Sequence, residues 1–315
     1  RDRCFAGPCF GMQPGRKLLL PEDCGSAQCG GMNLKRGLVM EGGGMRGMFT
    51  AGVIDVLMEH GIVFDGGIGT SAGAAFGCNY KSKQPGRVIR YNTEFCDDPR
   101  YGGLHSLLTT GDLYSRDFAY ETVPFELYPF DSETFRRNPM EFYVVCTDVL
   151  TGRPFYKKCE NGDRHDVEYM RASASMPLVS RVVEVDGYRL LDGGISDSIP
   201  LRKFISLGYD KNVVILTQPA DYRKKPSRMA ALFSLALRNY PAVVFAMRAR
   251  HLNYNQNVAY VRTEEAKGRA FVIQPEAALH ISRACRDAGE LMRVYELGRG
   301  AALRRMAELK RFLEE

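Results

Sequence analysis

A serine flanked by small residues is the first candidate for chemistry in this chain of 315 residues. Ser71 lies in Gly69-Thr70-Ser71-Ala72-Gly73, after a strand-like stretch and before a helix-compatible one. A serine at such a sharp turn presents its hydroxyl above a sheet and at the positive end of a helix. The turn needs small neighbours two residues away on both sides, here Gly69 and Gly73. The pattern indicates a nucleophile, although an N-capping serine in a glycine-rich turn has the same sequence.

A second glycine-rich run, Gly42-Gly43-Gly44-Met45-Arg46-Gly47, follows the preceding strand and has three interpretations. As G-x-G-x-x-G it is a dinucleotide-binding fingerprint, with Asp65 near the position of the acid that binds ribose. As an oxyanion hole, its backbone N–H groups converge on one point, and Arg46 adds positive charge or anchors the loop. As a purely structural feature, it is a tight turn that requires positive φ angles.

A third motif, Asp192-Gly193-Gly194, favours hydrolysis. A serine nucleophile needs a base, and a carboxylate in a glycine-rich turn can approach closely, although many turn aspartates have no further role. A dinucleotide enzyme needs neither Ser71 nor Asp192, whereas a hydrolase uses all three motifs. We therefore expect Ser71 as nucleophile and Asp192 as base.

Histidine is the alternative base. The chain has five histidines, none in a small-residue turn that suits a catalytic base: His60, His105, His165, His251 and His280. The last two follow Asp192 in the chain order of an α/β-hydrolase triad, so a histidine-containing triad stays an alternative.

With these motifs the sequence resembles the patatin-like phospholipase family, its bacterial members in particular. The G-G-G-x-R-G loop, the G-x-S-x-G turn and the D-G-G motif occur in the family's order, with an Ala-Ser…Pro segment at residues 172–177 between the last two. The resemblance covers roughly residues 38–199 and is much weaker beyond about residue 220. It implies a Ser-Asp dyad: Ser71 attacks the ester carbonyl, and Asp192 accepts its proton and later activates water to hydrolyse the acyl-enzyme.

The resemblance also implies the remaining site residues and the substrate class. The N–H groups of Gly43 and Gly44, with Gly42 or Met45, are expected to stabilise the oxyanion, and Gly193 and Gly194 to support the base. The expected substrate is a lipid or simple acyl ester, as in a phospholipase A or lysophospholipase. The alternative is a catalytically weak lipid-binding protein with the same fold, although the intact motifs argue against it.

No cofactor is expected for this reaction. Beyond the N-terminal segment, no cluster of carboxylates or histidines in the sequence resembles a calcium or zinc site, so we expect calcium-independent hydrolysis.

The elements that must position these motifs alternate between strands and helices. Short apolar runs predict buried strands at residues 38–40, 142–146, 213–216 and 270–273. Apolar periodicity predicts helices at residues 46–60 and 87–95, and an alternating segment predicts a hairpin at residues 182–191. This order predicts a three-layer α/β fold, with a mainly parallel central sheet covered by helices on both faces. Ligands of such folds bind at the carboxyl ends of the strands, where the motifs lie.

Three regions are expected along the chain. Residues 1–31, rich in Gly, Pro and Cys, are expected to be disordered or a non-native leader. Residues 32–220 are the predicted catalytic domain, and residues 221–315 a mostly helical region packed on it. Four of the nine cysteines fall in the first region at loose zinc-ligand spacing but without nearby histidine. The odd total of nine cysteines and the scattered positions of the other five indicate a reducing compartment rather than a disulfide framework.

Charge and hydropathy limit the partners. A net charge of +6 is too modest for a dedicated nucleic-acid binder, and no uninterrupted run of 18 apolar residues predicts a transmembrane helix. We expect a cytoplasmic protein with peripheral contact at the inner membrane surface. The apolar segment 229–247 either lines an acyl-chain groove, touches a membrane or, as we favour, packs on the core. The oligomeric state stays open.

Overall fold

One mixed sheet organises the fold, and the computed structural model describes residues 34–315. Its eight strands among these residues are β1 (Lys35–Met40), β2 (Gly66–Thr70), β3 (Glu141–Asp148), β4 (Pro154–Cys159), β5 (Val183–Val185), β6 (Tyr188–Asp192), β7 (Tyr209–Ile215) and β8 (Ala270–Ile273). They are ordered β5-β6-β3-β2-β1-β7-β8, with β4 also paired to β3. The five strands β3, β2, β1, β7 and β8 are paired in parallel, whereas the pairs β3–β4, β3–β6 and β5–β6 are antiparallel.

Helices connect these strands and cover the sheet. Those of the described residues are α1 (Gly47–Glu59), α2 (Ala72–Lys81), α3 (Arg87–Phe95), α4 (Leu104–Thr110), α5 (Ser132–Arg137), α6 (Arg164–Ala174), α7 (Leu201–Ser206), α8 (Ala230–Ala236), α9 (Pro241–Ala266) and α10 (Ala288–Glu314). Short 3-10 turns follow β1 and β6, and a π-helical segment spans Phe118–Leu127. The predicted α/β class, its mainly parallel sheet and the helical C-terminal region are confirmed.

The central strand β1 shows why its sequence is a continuous apolar run. Leu38 and Met40 belong to the core cluster on one face of the sheet, and Val39 belongs to the cluster on the other. All three side chains are completely buried, because helices lie on both faces. Full burial of each such side chain stabilises the fold by about 1.5–3 kcal/mol relative to exposure. A polar residue at any of these positions has no solvated face to occupy.

The register of the strands brings the sequence motifs together at one end of the strands. Met40 at the end of β1 pairs with Gly69 near the end of β2, and Asp192 at the end of β6 lies opposite Cys146 in β3. The carboxyl ends of three strands therefore meet. Asp65 precedes β2, so it lies at the opposite end of the strands from the glycine loop. An acid in that position cannot bind the ribose of a dinucleotide held by this loop.

The last part of the chain completes the sheet, because β8 pairs in parallel with β7. Residues 34–315 form one compact unit. Whether a domain boundary falls near residue 220 stays a prediction, and the predicted leader at residues 1–31 lies outside the described residues. Among residues 34–315, no helix combines the length and the apolar composition needed to cross a bilayer.

Candidate active site

Ser71 occupies the turn between β2 and α2 with a strained backbone. Its φ of 55° and ψ of −123° lie outside the regions that a non-glycine residue normally adopts, at a cost of about 1–3 kcal/mol. The flanking glycines make the turn sterically feasible. A Cβ on Gly69 would lie 2.3 Å from the carbonyl oxygen of Gly73, and one on Gly73 would lie 2.5 Å from that of Met40. Such strain persists only where the surrounding structure enforces it, as at functional sites.

The Asp192 carboxylate accepts a hydrogen bond from the Ser71 hydroxyl. The distance from Ser71 Oγ to Asp192 Oδ2 is 2.7 Å, although the residues are 121 positions apart in the chain. The second oxygen, Oδ1, accepts the N–H of Gly194 at 2.6 Å, which orients the carboxylate. A Cβ on Gly193 would lie 2.1 Å from the carbonyl oxygen of Val145, so glycine lets this turn pack against β3.

Burial raises the pKa of Asp192 above the usual aspartate value. The opposing influences are the positive charge of Arg250, the Ser71 hydroxyl, the Gly194 N–H and the charge of Arg283, which lower this pKa. The side chain is almost completely buried, so desolvation outweighs them. The ionised carboxylate is therefore a stronger proton acceptor than a solvated aspartate.

Ser173 links the turn that carries Ser71 to strand β3 through two hydrogen bonds. Its hydroxyl accepts the backbone N–H of Ser71 at 2.7 Å and donates to the carbonyl oxygen of Val145 at 2.5 Å. Ser173 lies near the end of α6, a helix that the sequence analysis did not predict. The sequence does contain a start signal for this helix, the N-capping residue Asp163, whose side chain accepts the N–H of Asp166.

The glycine loop after β1 borders Ser71. The N–H groups of Gly43 and Gly44 donate to no protein acceptor within residues 34–315. The N–H of Gly42 points towards the carbonyl oxygen of Ser198 at 3.5 Å, and that of Met45 donates to the carbonyl oxygen of Arg283 at 3.1 Å. The available donors of this loop are therefore those of Gly43 and Gly44.

The other predicted loop residues contribute packing and charge. Met45 is buried in the core, and Arg46 donates from Nε to Thr217 Oγ1 at 3.4 Å. Gly47 begins α1, where a Cβ would lie 2.8 Å from the Cβ of Ala72. Gly47 thus allows the starts of α1 and α2 to approach, and it does not line the cavity above Ser71.

That cavity, called here the catalytic cavity, is strongly charged. It contains Ser71, Asp192 and the glycine loop, together with one further acid, Glu41, and four basic side chains: Arg46, Lys224, Arg250 and Arg283. Sequence reasoning proposed only Arg46 of these four. The other three follow residue 220 and belong to no motif, so only the fold brings them together.

Two apolar spaces adjoin the catalytic cavity. One, the α8 groove, borders Asp192 and is lined by residues that include Met176, Leu178, Ile195, Met229, Phe233 and Met247. The other, the tyrosine chamber, borders Ser71 and Gly44 and continues beneath α2 along Phe76, Tyr101, Tyr114 and Tyr120. Segment 229–247, for which a groove, a membrane contact and core packing were weighed, therefore supplies three groove side chains, Met229, Phe233 and Met247.

None of the five histidines, all within residues 34–315, lines the catalytic cavity or either apolar space. His165 lies with Asp163 and Asp166 in a group whose ligand atoms are within 4.8 Å of one another. The sequence analysis did not identify this group. Local contacts explain it: Asp163 caps α6, Asp166 accepts two backbone N–H groups, and His165 pairs with Asp186.

Two family descriptions and a bacterial protein match this chain. The family described as patatin-like phospholipase matches residues 38–205, and a domain of unknown function, DUF6363, matches residues 240–314. The uncharacterized protein YjjU of Escherichia coli is 31% identical over 274 residues, which cover 83% of this chain and 74% of that protein.

A fungal protein and a solved structure are also similar. Lysophospholipase nte1 of Aspergillus fumigatus is 30% identical over 183 residues, 55% of this chain, but this chain spans only 11% of that protein. The crystal structure of VipD from Legionella pneumophila aligns with a TM-score of 0.43 at 12% identity, over 89% of this chain and 67% of that one.

Proposed function

Because the chain belongs to the patatin-like phospholipase family and is a hydrolase of carboxylic ester bonds, we propose that it cleaves lipid esters through a dyad of Ser71 and Asp192. The observation that carries this proposal is the 2.7 Å hydrogen bond from the Ser71 hydroxyl to the buried Asp192 carboxylate. Ser71 belongs to the strained turn that presents a nucleophile, and Asp192 is oriented by Gly194. No histidine is needed between them.

In the acylation step, Ser71 Oγ attacks the ester carbonyl carbon while Asp192 accepts the hydroxyl proton. The carbonyl oxygen becomes an oxyanion that accepts hydrogen bonds from the N–H groups of Gly43 and Gly44. Loss of one such donor typically costs about 2.7–4 kcal/mol of transition-state stabilisation. Collapse of the intermediate breaks the bond to the alcohol, which takes the proton from Asp192 and leaves an acyl-Ser71 enzyme.

In the deacylation step, water replaces the alcohol. Asp192 removes a proton from this water, the hydroxide attacks the acyl carbon, and the same two N–H groups stabilise the second oxyanion. The proton then returns from Asp192 to Ser71 Oγ as the fatty acid leaves. One base therefore serves both halves of the cycle, in agreement with its raised pKa.

The apolar spaces suggest how a lipid is oriented. We place the acyl chain in the tyrosine chamber, because Ser71 and Gly44 border it and its other lining is mostly apolar or aromatic. The alcohol part then occupies the catalytic cavity next to Asp192, which returns a proton to it. A substrate with one or two acyl chains fits this division, as in lysophospholipase or phospholipase A chemistry.

The surface beside the α8 groove supports contact with a lipid surface. Leu232, Leu235 and Phe245 are 48%, 67% and 74% exposed, and all three belong to the segment that supplies Met229, Phe233 and Met247 to the groove. The exposed Arg228 and Arg238 flank α8 and favour anionic head groups. We propose that this face rests on the membrane while a lipid enters the adjoining groove.

The test is release of nitrophenol from a medium-chain p-nitrophenyl ester in excess chelator. Wild type and Asp197→Asn are expected to be active, whereas Ser71→Ala and Asp192→Asn lose about four orders of magnitude in kcat or more. Asp197 is the matched control, because it is another buried aspartate that binds Tyr156 and Asn257 outside the cavity.

Activity that survives Ser71→Ala would exclude this serine as the nucleophile. A wild type that is inactive but still binds lipid would favour the alternative of a lipid-binding protein with the same fold. Loss of wild-type activity in chelator alone would contradict the expected independence of calcium.

A further inference from the structure

The catalytic cavity has more positive charge than ester hydrolysis requires. Arg46, Lys224, Arg250 and Arg283 line it, against the two acids Glu41 and Asp192. The proposed reaction uses Asp192 and two backbone N–H groups, so none of the four cations has a necessary part in it. Three of them are contributed by the chain beyond residue 220.

Among the residues that the structure describes, these four cations form no ion pair with a carboxylate. Within residues 34–315, ion pairs form at many other arginines and lysines, but none includes any of these four. Arg250 donates instead to the carbonyl oxygen of Gly194, and Lys224 Nζ lies 4.2 Å from the centroid of the Tyr254 ring.

The remaining acid is already occupied. Glu41 accepts the N–H of Thr217 at 2.6 Å and the hydroxyl of Tyr254 at 2.9 Å, so it connects the segment after β7 to the middle of α9. Arg46, Lys224 and Arg250 are partly buried, whereas Arg283 is exposed. Charged groups removed from water are normally paired or bind an ion. The four unpaired cations therefore leave room for an external anion.

The electrostatic cost of this arrangement is visible in its pKa values. Burial, with repulsion from Arg250, Arg283 and Arg46, lowers the pKa of Lys224 to about 7, although Glu41 opposes this effect. Burial and the neighbouring cations also lower the pKa of Arg250, against the attraction of Asp192. A bound anion would relieve this mutual repulsion.

We infer that the catalytic cavity binds the phosphate of an anionic head group on the alcohol side of the scissile ester. The preferred substrates are thus acyl lipids whose phosphate is not balanced by an ammonium group. Guanidinium groups bind phosphate oxygens through paired, charge-assisted hydrogen bonds, whereas a choline ammonium would meet four cations. This inference rests on the proposed function, because it places the head group beside Ser71.

The experiment compares three short substrates that remain monomeric, so that micelle charge plays no part: hexanoyl-lysophosphatidylglycerol, hexanoyl-lysophosphatidylcholine and monohexanoylglycerol. For the wild type, kcat/KM for hexanoyl-lysophosphatidylglycerol is expected to exceed kcat/KM for hexanoyl-lysophosphatidylcholine by roughly tenfold or more. This is the scale of one charge-assisted hydrogen bond. Lys224→Gln is expected to lower this ratio roughly tenfold, and Lys224→Arg to restore it.

Lys225→Gln is the matched control, because Lys225 is the exposed neighbour and does not line the cavity. An equal loss in Lys225→Gln would assign the effect to general surface charge and overturn the inference. Equal kcat/KM for all three substrates would overturn it while leaving the proposed function in place. A wild type that hydrolyses none of the three substrates would instead contradict the proposed function itself.

Two inhibitors separate a head-group site from a site for free phosphate. Glycerol phosphate is expected to inhibit monohexanoylglycerol hydrolysis competitively and more strongly than inorganic phosphate, with both effects weakened in Lys224→Gln. Equal inhibition by inorganic phosphate at the same concentration would assign the cations to the free ion and overturn the substrate inference.

Discussion

Two regions of the chain build the same cavity by different means. The strand-end turns supply Ser71, Asp192 and the glycine loop, whose backbones must pass within van der Waals contact of neighbouring strands. The chain beyond residue 220 supplies Lys224, Arg250 and Arg283, whose charged side chains line the cavity. Of these three residues, Arg283 also accepts the N–H of Met45 through its backbone carbonyl oxygen. A tight backbone turn allows only small residues, so it can be recognised in the sequence as a glycine motif. A positive charge in the cavity can come from a lysine or arginine anywhere in the chain, so it leaves no recognisable pattern in one sequence.

Gly44 is where the two regions touch, and among the changes that test this comparison its replacement is expected to have the largest effect. It has a φ of 58°, and a Cβ there would lie 2.6 Å from the carbonyl oxygen of Arg283. Gly44→Ala should displace the N–H donors and lower kcat by about 10²–10³, comparable to loss of one oxyanion donor.

The control for this prediction is Gly61→Ala. Gly61 has a similar φ of 66°, but a Cβ there meets no atom within 4 Å. Both variants pay the left-handed backbone penalty of about 1–2 kcal/mol in stability, but only Gly44→Ala should lose activity on a nitrophenyl ester. Equal kcat values in the two variants would separate the loop from catalysis.

Asp197 is buried but lies outside the three motifs, so it shows what burial alone does to the pKa of an aspartate. Burial raises the pKa of Asp197 to about 6 in the folded protein, against about 3.9 in an unfolded chain. The folded state then binds the proton more tightly, so this group stabilises it fully below pH 4 and loses that contribution as the pH rises through 6. Asp197→Asn removes the dependence.

Chemical denaturation measures this effect as a difference between two proteins. The free energy of unfolding of Asp197→Asn, minus that of wild type, is expected to increase by about 2–3 kcal/mol between pH 4 and pH 7. A difference that is constant over this range would mean that Asp197 titrates as it does in the unfolded chain.

Arg250 links the cations to the base, and its removal is expected to shift a pH profile. The positive charge of Arg250 lowers the pKa of Asp192, which must be ionised to accept the Ser71 proton. Without this charge the pKa of Asp192 rises, so the acid limb of kcat/KM for a neutral ester should move to higher pH in Arg250→Gln. Arg248→Gln, on an exposed position of α9, should leave the limb in place. A shift to lower pH would contradict this coupling.

The smallest expected effect concerns the exposed face of α8. Leu235→Ser should weaken binding to anionic vesicles about fivefold, since partial burial of one leucine in a lipid surface is worth about 1 kcal/mol. Val63→Ser is the control, because the two side chains are 67% and 68% exposed and Val63 lies between α1 and β2. Equal weakening in a sedimentation assay would place the contact elsewhere.

The sequence predicted the elements that depend on periodicity or tight packing. The runs at residues 38–40 and 213–216 are buried on both faces of the sheet, and such strands are uninterrupted apolar segments. The predicted helix at residues 87–95 also has the observed bounds. β4 and α6 were not predicted. β4 is only partly buried, with Lys157 and Lys158 among six residues, so its pattern resembles a loop.

The candidate site divides in the same way. Ser71, Asp192 and the glycine turns were identified because only small residues fit those turns. Ser173 was noted as part of a segment, but its hydrogen bond to the Ser71 N–H depends on the end of α6 meeting β3. Lys224, Arg250 and Arg283 lie on a loop, on α9 and on the segment before α10, so their convergence depends on tertiary packing.

The most direct test of the account is the reaction of the protein with an alkyl fluorophosphonate, followed by mass spectrometry of the intact chain and its peptides. We predict one phosphonyl group per chain, attached to Ser71 with loss of fluoride, absent in Ser71→Ala and formed far more slowly in Asp192→Asn. Labelling of another residue, or an unchanged rate in Asp192→Asn, would contradict the assignment of Ser71 as nucleophile and Asp192 as its base.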